Sequence, residues 1–131
     1  MGCDECEGWE LAAVGGSSGV RRSAILLEIE RRSADPSLNA VKIATSLGIT
    51  ARYVHRLLQD TGLSFTHHLL QRRLTTAAAL LRDPRWRYRK IADIAAEAGF
   101  TDLSYFNRAF RRHYGATPSD IREAAARRRS T

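Results

Sequence analysis

The sequence predicts an all-α protein made of two helix-turn-helix subdomains joined by a long linker helix. Three observations carry that expectation. Apolar residues recur at helical spacing along most of the chain, and no stretch alternates apolar and polar residues as a half-buried strand would. Capping and helix-breaking residues divide the chain into about seven helical segments. The middle of the chain also repeats itself: "KIATSLGITARYVHRLL" aligns with "DIAAEAGFTDLSYFNRAF" once one extra residue is admitted to the second turn.

Residues 1–17 contain "CDEC" and run into "GGSSG", which reads as an acidic flexible tail and linker. Cys3 and Cys6 are the only cysteines. They are two ligands short of a structural zinc site and lack the strand–helix context of a redox motif. The folded domain is expected over residues 18–131. A first helix runs from about Val20 to Arg32 and ends at "SADPS", where Pro36 disfavours helix in the residue before it. Asn39 caps "AVKIATSL", which stops at Gly48, and Thr50 caps a third helix from Ala51 to Gln59. A longer helix follows from Thr66 to Arg82, with Leu69, Leu70, Leu74, Ala77, Leu80 and Leu81 on its buried side. At 1.5 Å per residue it is roughly 25 Å long. Pro84 ends it. "IADIAAEA" then stops at Gly99, the next helix begins near Asp102, and Thr117 caps a final helix with Pro118 in its first position. These segments divide into a first unit (18–65), a linker helix (66–82) and a second unit (83–131).

The repeat explains the spacing. Ile43, Ala44 and Gly48 match Ile94, Ala95 and Gly99 at an offset of 51; beyond the turn the offset is 52, pairing Val54, Arg56 and Leu58 with Phe106, Arg108 and Phe110. A small Ala four residues before the Gly lets two helices cross closely. The Gly permits a positive φ, and the later apolar residue fixes the second helix on the first. Those are the steric demands of a helix-turn-helix. The polar stripe is repeated too: Arg52, His55, Arg56 and Gln59 stand 52 residues before Ser104, Asn107, Arg108 and Arg111. A merely solvated face favours Lys–Glu pairs. Neither stripe contains an acid, and both contain side chains that bond base edges bidentately, so both read as recognition helices for a DNA major groove.

Composition agrees with a polyanionic partner. The chain has a net charge of +7 with 21 Lys and Arg, of which 19 are Arg. Asp4, Glu5, Glu7 and Glu10 fall in the first 17 residues beside no basic residue, so the rest carries 21 basic and 10 acidic residues, net +11. Guanidinium matches phosphate and guanine edges bidentately, although charge alone does not separate DNA from RNA or an acidic membrane. No apolar run approaches the ~20 residues of a membrane span, and no basic start precedes an apolar stretch as in a secretory signal. A cytoplasmic protein without a membrane partner is expected. No nucleophile–His–carboxylate set, phosphate loop or metal cluster emerges from spacing, so neither catalysis nor a cofactor is expected. His67 and His68 are adjacent on a helix, point in different directions, and read as structural or surface residues. "RDPRWRYRKI" interleaves basic and aromatic residues. It reads as a loop anchoring Trp86 or Tyr88 on the core with some Arg or Lys near phosphate, in preference to a stacking platform for single strands. The terminal "RRRST" reads as a solvated basic tail.

From about Val20 to Arg122 the sequence resembles the DNA-binding domain of the AraC/XylS family of transcription regulators. "IADIAAEAGFTDLSYFNRAFRRHYGATPSDIR" is similar to the family pattern IxxIAxxxGFxxxSYFxRxFxxxxGxTPxxyR, and "LQRRLTTAAALL" resembles its RLxxAxxLL linker helix. The resemblance implies seven helices, a rigid linker, and one protomer on an asymmetric DNA site. Carried over by position, base contacts fall to Arg52, His55 and Arg56, then Leu103, Ser104, Asn107 and Arg108. Phosphate contacts fall to Thr50, Gln59, Lys90, Arg111 and Arg112. The sequence departs from the pattern at Ile121, in place of Tyr, at Leu58, where Phe is frequent, and at Lys90, in place of a Ser cap. Many family members carry a separate effector-binding or dimerisation domain, which 17 residues cannot form. The expected function is sequence-specific binding of double-stranded DNA in transcription control, with recognition helices in major grooves about 34 Å apart. The alternatives are a module docking on RNA polymerase or another regulator, and a non-specific nucleic-acid binder. The operator, an effector ligand, and activation versus repression are not legible.

Overall fold

Local capping chemistry sets the start of five of the helices described below. The structure, a computed structural model, describes residues 18–130, with side chains to Arg129. The expectations for the acidic tail and for Cys3 and Cys6 lie outside the described residues. Among the described residues seven helices occur in order: α1 (Ser18–Arg32), α2 (Ala40–Leu47), α3 (Ala51–Gln59), α4 (Phe65–Arg82), α5 (Ile91–Glu97), α6 (Leu103–Tyr114) and α7 (Pro118–Ser130), with a 3₁₀ turn at Pro84–Trp86 between α4 and α5. Among the described residues there is no strand. The protein is all-α, as the periodicity predicts. No helix among these residues is long and apolar enough to cross a membrane.

The chain condenses into two compact units. Of the described residues, the first comprises 18–32 together with Ser37–Leu70, and the second comprises Ser33–Pro36 together with 71–130. Helix α4 is continuous and contributes residues to both.

In the first unit, Asn39 is extended at φ −146° and its side chain accepts the Lys42 N–H at 2.9 Å, starting α2. Gly48 ends α2 in the left-handed region at φ 71°, and the Ile49 N–H reaches the Ala44 carbonyl at 3.0 Å, closing a Schellman-type turn. Thr50 then caps α3 by accepting the Tyr53 N–H at 3.1 Å. The core is almost wholly aliphatic: Ile25 and Ile29 of α1, Ile43 and Ala44 of α2, and Val54, Leu57 and Leu58 of α3 are buried, with Phe65 and Leu69 of α4 completing it. Helix α4 begins at Phe65, one residue before the sequence boundary, because Ser64 caps it by accepting the His67 N–H.

The second unit is centred on aromatic rings. Phe106 and Phe110 are fully buried, with Phe100 against Phe106 at 4.9 Å, Phe106 against Phe110 at 5.5 Å and Phe110 against Tyr114 at 4.6 Å between ring centroids. Leu74, Ala77, Ala78 and Leu81 of α4 and Ile94 and Ala95 of α5 join them in the buried set. Leu70 and Leu80, expected on the buried side of α4, are half-buried, while Ala78 takes an interior place. Gly99 follows α5 at φ 107°. A Cβ there would lie 2.5 Å from the Ser33 carbonyl oxygen and 2.8 Å from Arg73 Nε, so the position requires both the backbone freedom and the missing side chain. Arg73 binds that same segment, donating to the Ser33 carbonyl and the Asp35 carbonyl, each at 2.8 Å. Thr117 and Asp120 form a reciprocal capping box at the start of α7.

Candidate nucleic-acid interface

A helix laid in a DNA major groove must be held from behind by an apolar stripe and must keep its polar stripe uncommitted. Both α3 and α6 meet this demand. On α3, Val54, Leu57 and Leu58 are buried while Arg52, His55, Arg56 and Gln59 are exposed. On α6, Phe106, Ala109 and Phe110 are buried while Ser104, Asn107, Arg108, Arg111 and Arg112 are exposed. Leu103 opens α6 and is 43% exposed, an unusual position for a large apolar side chain and one fit for apolar contact. The extra residue in the second turn falls between Gly99 and the cap Asp102, whose carboxylate accepts the Tyr105 N–H at 3.1 Å. The stripes therefore stay in register although the turns differ in length.

Among the described residues, Arg52, Arg56 and Arg108 make no ion pair and no side-chain hydrogen bond, so neither Arg56 nor Arg108 acts as a clamp on a neighbouring carboxylate. Arg111 is different. Its charge helps to depress the Asp120 carboxyl, which the backbone N–H and the hydroxyl of Thr117 chiefly hold below the usual carboxylate range. Thr50 has its oxygen engaged as the cap of α3, which leaves its hydroxyl proton able to donate. Lys90 stands at the N-cap of α5, exposed and without a side-chain cap bond, in contrast to Asn39 at the matching position of the first unit.

Trp86 is half-buried and covered by the Arg89 guanidinium at 4.6 Å, whereas Tyr88 is 87% exposed, with Arg87 at 4.9 Å from its ring centroid. Of the two candidate anchors, Trp86 is the one the fold half-buries. His68 is held by Thr61, with Nε2 2.8 Å from the hydroxyl, and burial followed by the neighbouring His67 lowers its pKa from the ordinary value. Periodicity passes over one repeated pair, Tyr53 and Tyr105. Tyr53 accepts from Arg21 at 3.1 Å, while Tyr105 is 41% exposed beside its stripe, and their offset of 52 is the signal that would have found them.

Two helix-turn-helix units, each with an arginine-bearing stripe on its second helix, define a helix-turn-helix protein. Residues 43–124 match the family described as a helix-turn-helix domain. The chain is 37% identical over 106 residues to the transcriptional activator RhrA of Rhizobium meliloti strain 1021, covering 81% of this chain and 33% of that protein. It is similar in structure to an AraC-type DNA-binding-domain regulator of Chromobacterium violaceum, at a TM-score of 0.73, 25% identity, and coverage of 83% of this chain and 95% of that one. A further likeness is to the C-terminal domain of AraT, a response regulator of Geobacillus stearothermophilus, at a TM-score of 0.70, 28% identity, and coverage of 85% and 88%. The chain belongs to the AraC-type helix-turn-helix family. It spans a third or less of the length of the curated relatives it matches.

Proposed function

We propose that this chain binds double-stranded DNA at a defined sequence as an AraC-type transcription regulator, with α3 and α6 each entering a major groove. The observation that carries this reading is the pair of acid-free stripes in matching register, whose arginine donors are not spent within the fold. Arg56 and Arg108 suit bidentate bonds to guanine O6 and N7. Asn107 suits adenine, Leu103 suits a thymine methyl, and Arg52, His55 and Ser104 fill the neighbouring base-edge positions. Thr50, Gln59, Lys90, Arg111 and Arg112 take phosphate, which sets register and orientation without reading sequence. Because Arg111 also faces Asp120, it is the least committed of these five to DNA.

Selection from a randomised duplex library tests the proposal. A recovered consensus spanning about two helical turns is the expected result. Equal affinity for random duplex and for the best selected site would overturn it. Arg56→Ala should relax preference at one or two positions of one half-site and cost about 1–3 kcal/mol of binding, and Arg108→Ala should do the same in the other half. Both variants should keep the parental Tm, since each removes an exposed, unpaired side chain. Early melting with unchanged preference per folded molecule would refute the residue assignment.

A further inference from the structure

The first described residue lies beside one of the two proposed reading helices. Ser18, where α1 begins, lines an open cleft of about 410 Å³ together with Tyr53, Arg56, Leu57, Gln59 and Asp60, all five on or next to α3. Helix α1 therefore starts beside α3. The segment that precedes it is residues 1–17, which carries Asp4, Glu5, Glu7 and Glu10 with no Lys or Arg. The surface around the cleft is of opposite sign. Arg52 and Arg56 are exposed and unpaired among the described residues, Arg21 lies 5.7 Å from the Tyr53 ring centroid, and Asp60 is the single acid lining the cleft.

We propose that the acidic segment 1–17 docks over the exposed face of α3 and competes there with DNA for Arg52 and Arg56. The geometry of the tether is favourable. Glu10 is eight residues from Ser18 and Asp4 is fourteen. A flexible chain of eight to fourteen residues has a root-mean-square span of roughly 15–20 Å. The nine residues of α3 extend about 13 Å. A span matched to its target gives an effective concentration in the millimolar range, enough for individually weak carboxylate–guanidinium contacts to be populated. The chemistry of the occupant is that of a phosphate backbone: closely spaced anions on an extended chain. Docking would thus lower affinity for every duplex and penalise non-specific DNA most, because such DNA has only phosphate contacts to offer in competition.

The role as a competitor rests on α3 being a DNA-reading helix; docking itself does not. The test uses the full chain and a variant carrying Asp4→Asn, Glu5→Gln, Glu7→Gln and Glu10→Gln. Without DNA, amide spectra of the two proteins at low salt should differ at Arg52–Gln59 and at the start of α1. The difference should vanish near 1 M NaCl, where the screening length is about 3 Å. With random-sequence duplex at low salt, the neutralised variant should bind roughly three- to tenfold more tightly. Identical α3 spectra overturn the docking whatever the duplex does. If α3 shifts and duplex affinity does not, docking stands and the reading of α3 as a DNA helix fails.

Discussion

Val54 and Phe106 hold the same place in the two units, 52 residues apart, and both are fully buried. Val54 sits among aliphatic neighbours. Phe106 is the centre of a run of rings reaching from Phe100 to Tyr114. The turns differ in the same sense. A Cβ on Gly48 would meet nothing within 4 Å, so only its φ of 71° calls for glycine, whereas Gly99 is restricted by its φ of 107° and by the Ser33 carbonyl together. The same helix-turn-helix order is therefore reached with unequal tolerance. The second unit relies on large rings and a backbone contact that admit little change, and the first relies on smaller side chains and an open turn.

The largest expected effect tests the cores. Phe106→Ala should cost about 3–5 kcal/mol, because ring–ring contacts and a large buried area are lost together. Val54→Ala should cost only about 2 kcal/mol. Denaturation followed by amide exchange in each unit measures both, and equal losses would break the contrast.

The turns come next. Gly99→Ala should cost about 3 kcal/mol from strain and overlap combined, against about 1 kcal/mol for Gly48→Ala, which meets strain alone. Comparable Tm changes in the two variants would mean that the Ser33 segment moves aside freely.

Smaller still is the difference in caps. Lys90→Ser supplies the missing bond at α5 and should stabilise by about 1 kcal/mol, while Asn39→Ala should destabilise by a similar amount. If Lys90 also holds phosphate, the more stable variant should bind all duplexes less tightly, with a shallower salt slope.

The smallest effect concerns pH and belongs to the first unit. Burial and His67 push the His68 pKa below its ordinary value, so the folded state disfavours the imidazolium. Stability from this source is fully present above the unfolded pKa of about 6.5 and falls away as pH drops through that value toward the lower folded one. His68→Gln should flatten that part of the stability–pH profile, and an unchanged slope would remove His68 as its cause.

Much of this architecture was legible because it is written locally. Asn39, Gly48, Thr50, Asp102 and Thr117 announce helix ends through bonds spanning only a few residues, and Pro118 does so through its fixed φ. The two stripes were legible because their register is periodic. Features that depend on distant neighbours were not. The pattern offered Trp86 or Tyr88 as the anchor, and the choice between them is set by packing that dipeptide pattern does not encode. The position of Arg111 near Asp120 depends on how α7 follows α6. The assignment of Ser33–Pro36 to the second unit depends on Arg73, some forty residues away.

That last contact limits how far the protein can be treated as modular. The two units look like interchangeable cassettes in the repeat, but they are interleaved in chain order, since the second unit uses four residues encoded ahead of α2. A fragment beginning at Phe65 would contain α5, α6 and α7 complete, yet its Arg73 would lack the two carbonyls it binds, and the space beside Gly99 would open. Cassette exchange between relatives would have to carry the short "SADP" piece with the second unit, and a cut at the midpoint of α4 would damage the unit it was meant to release.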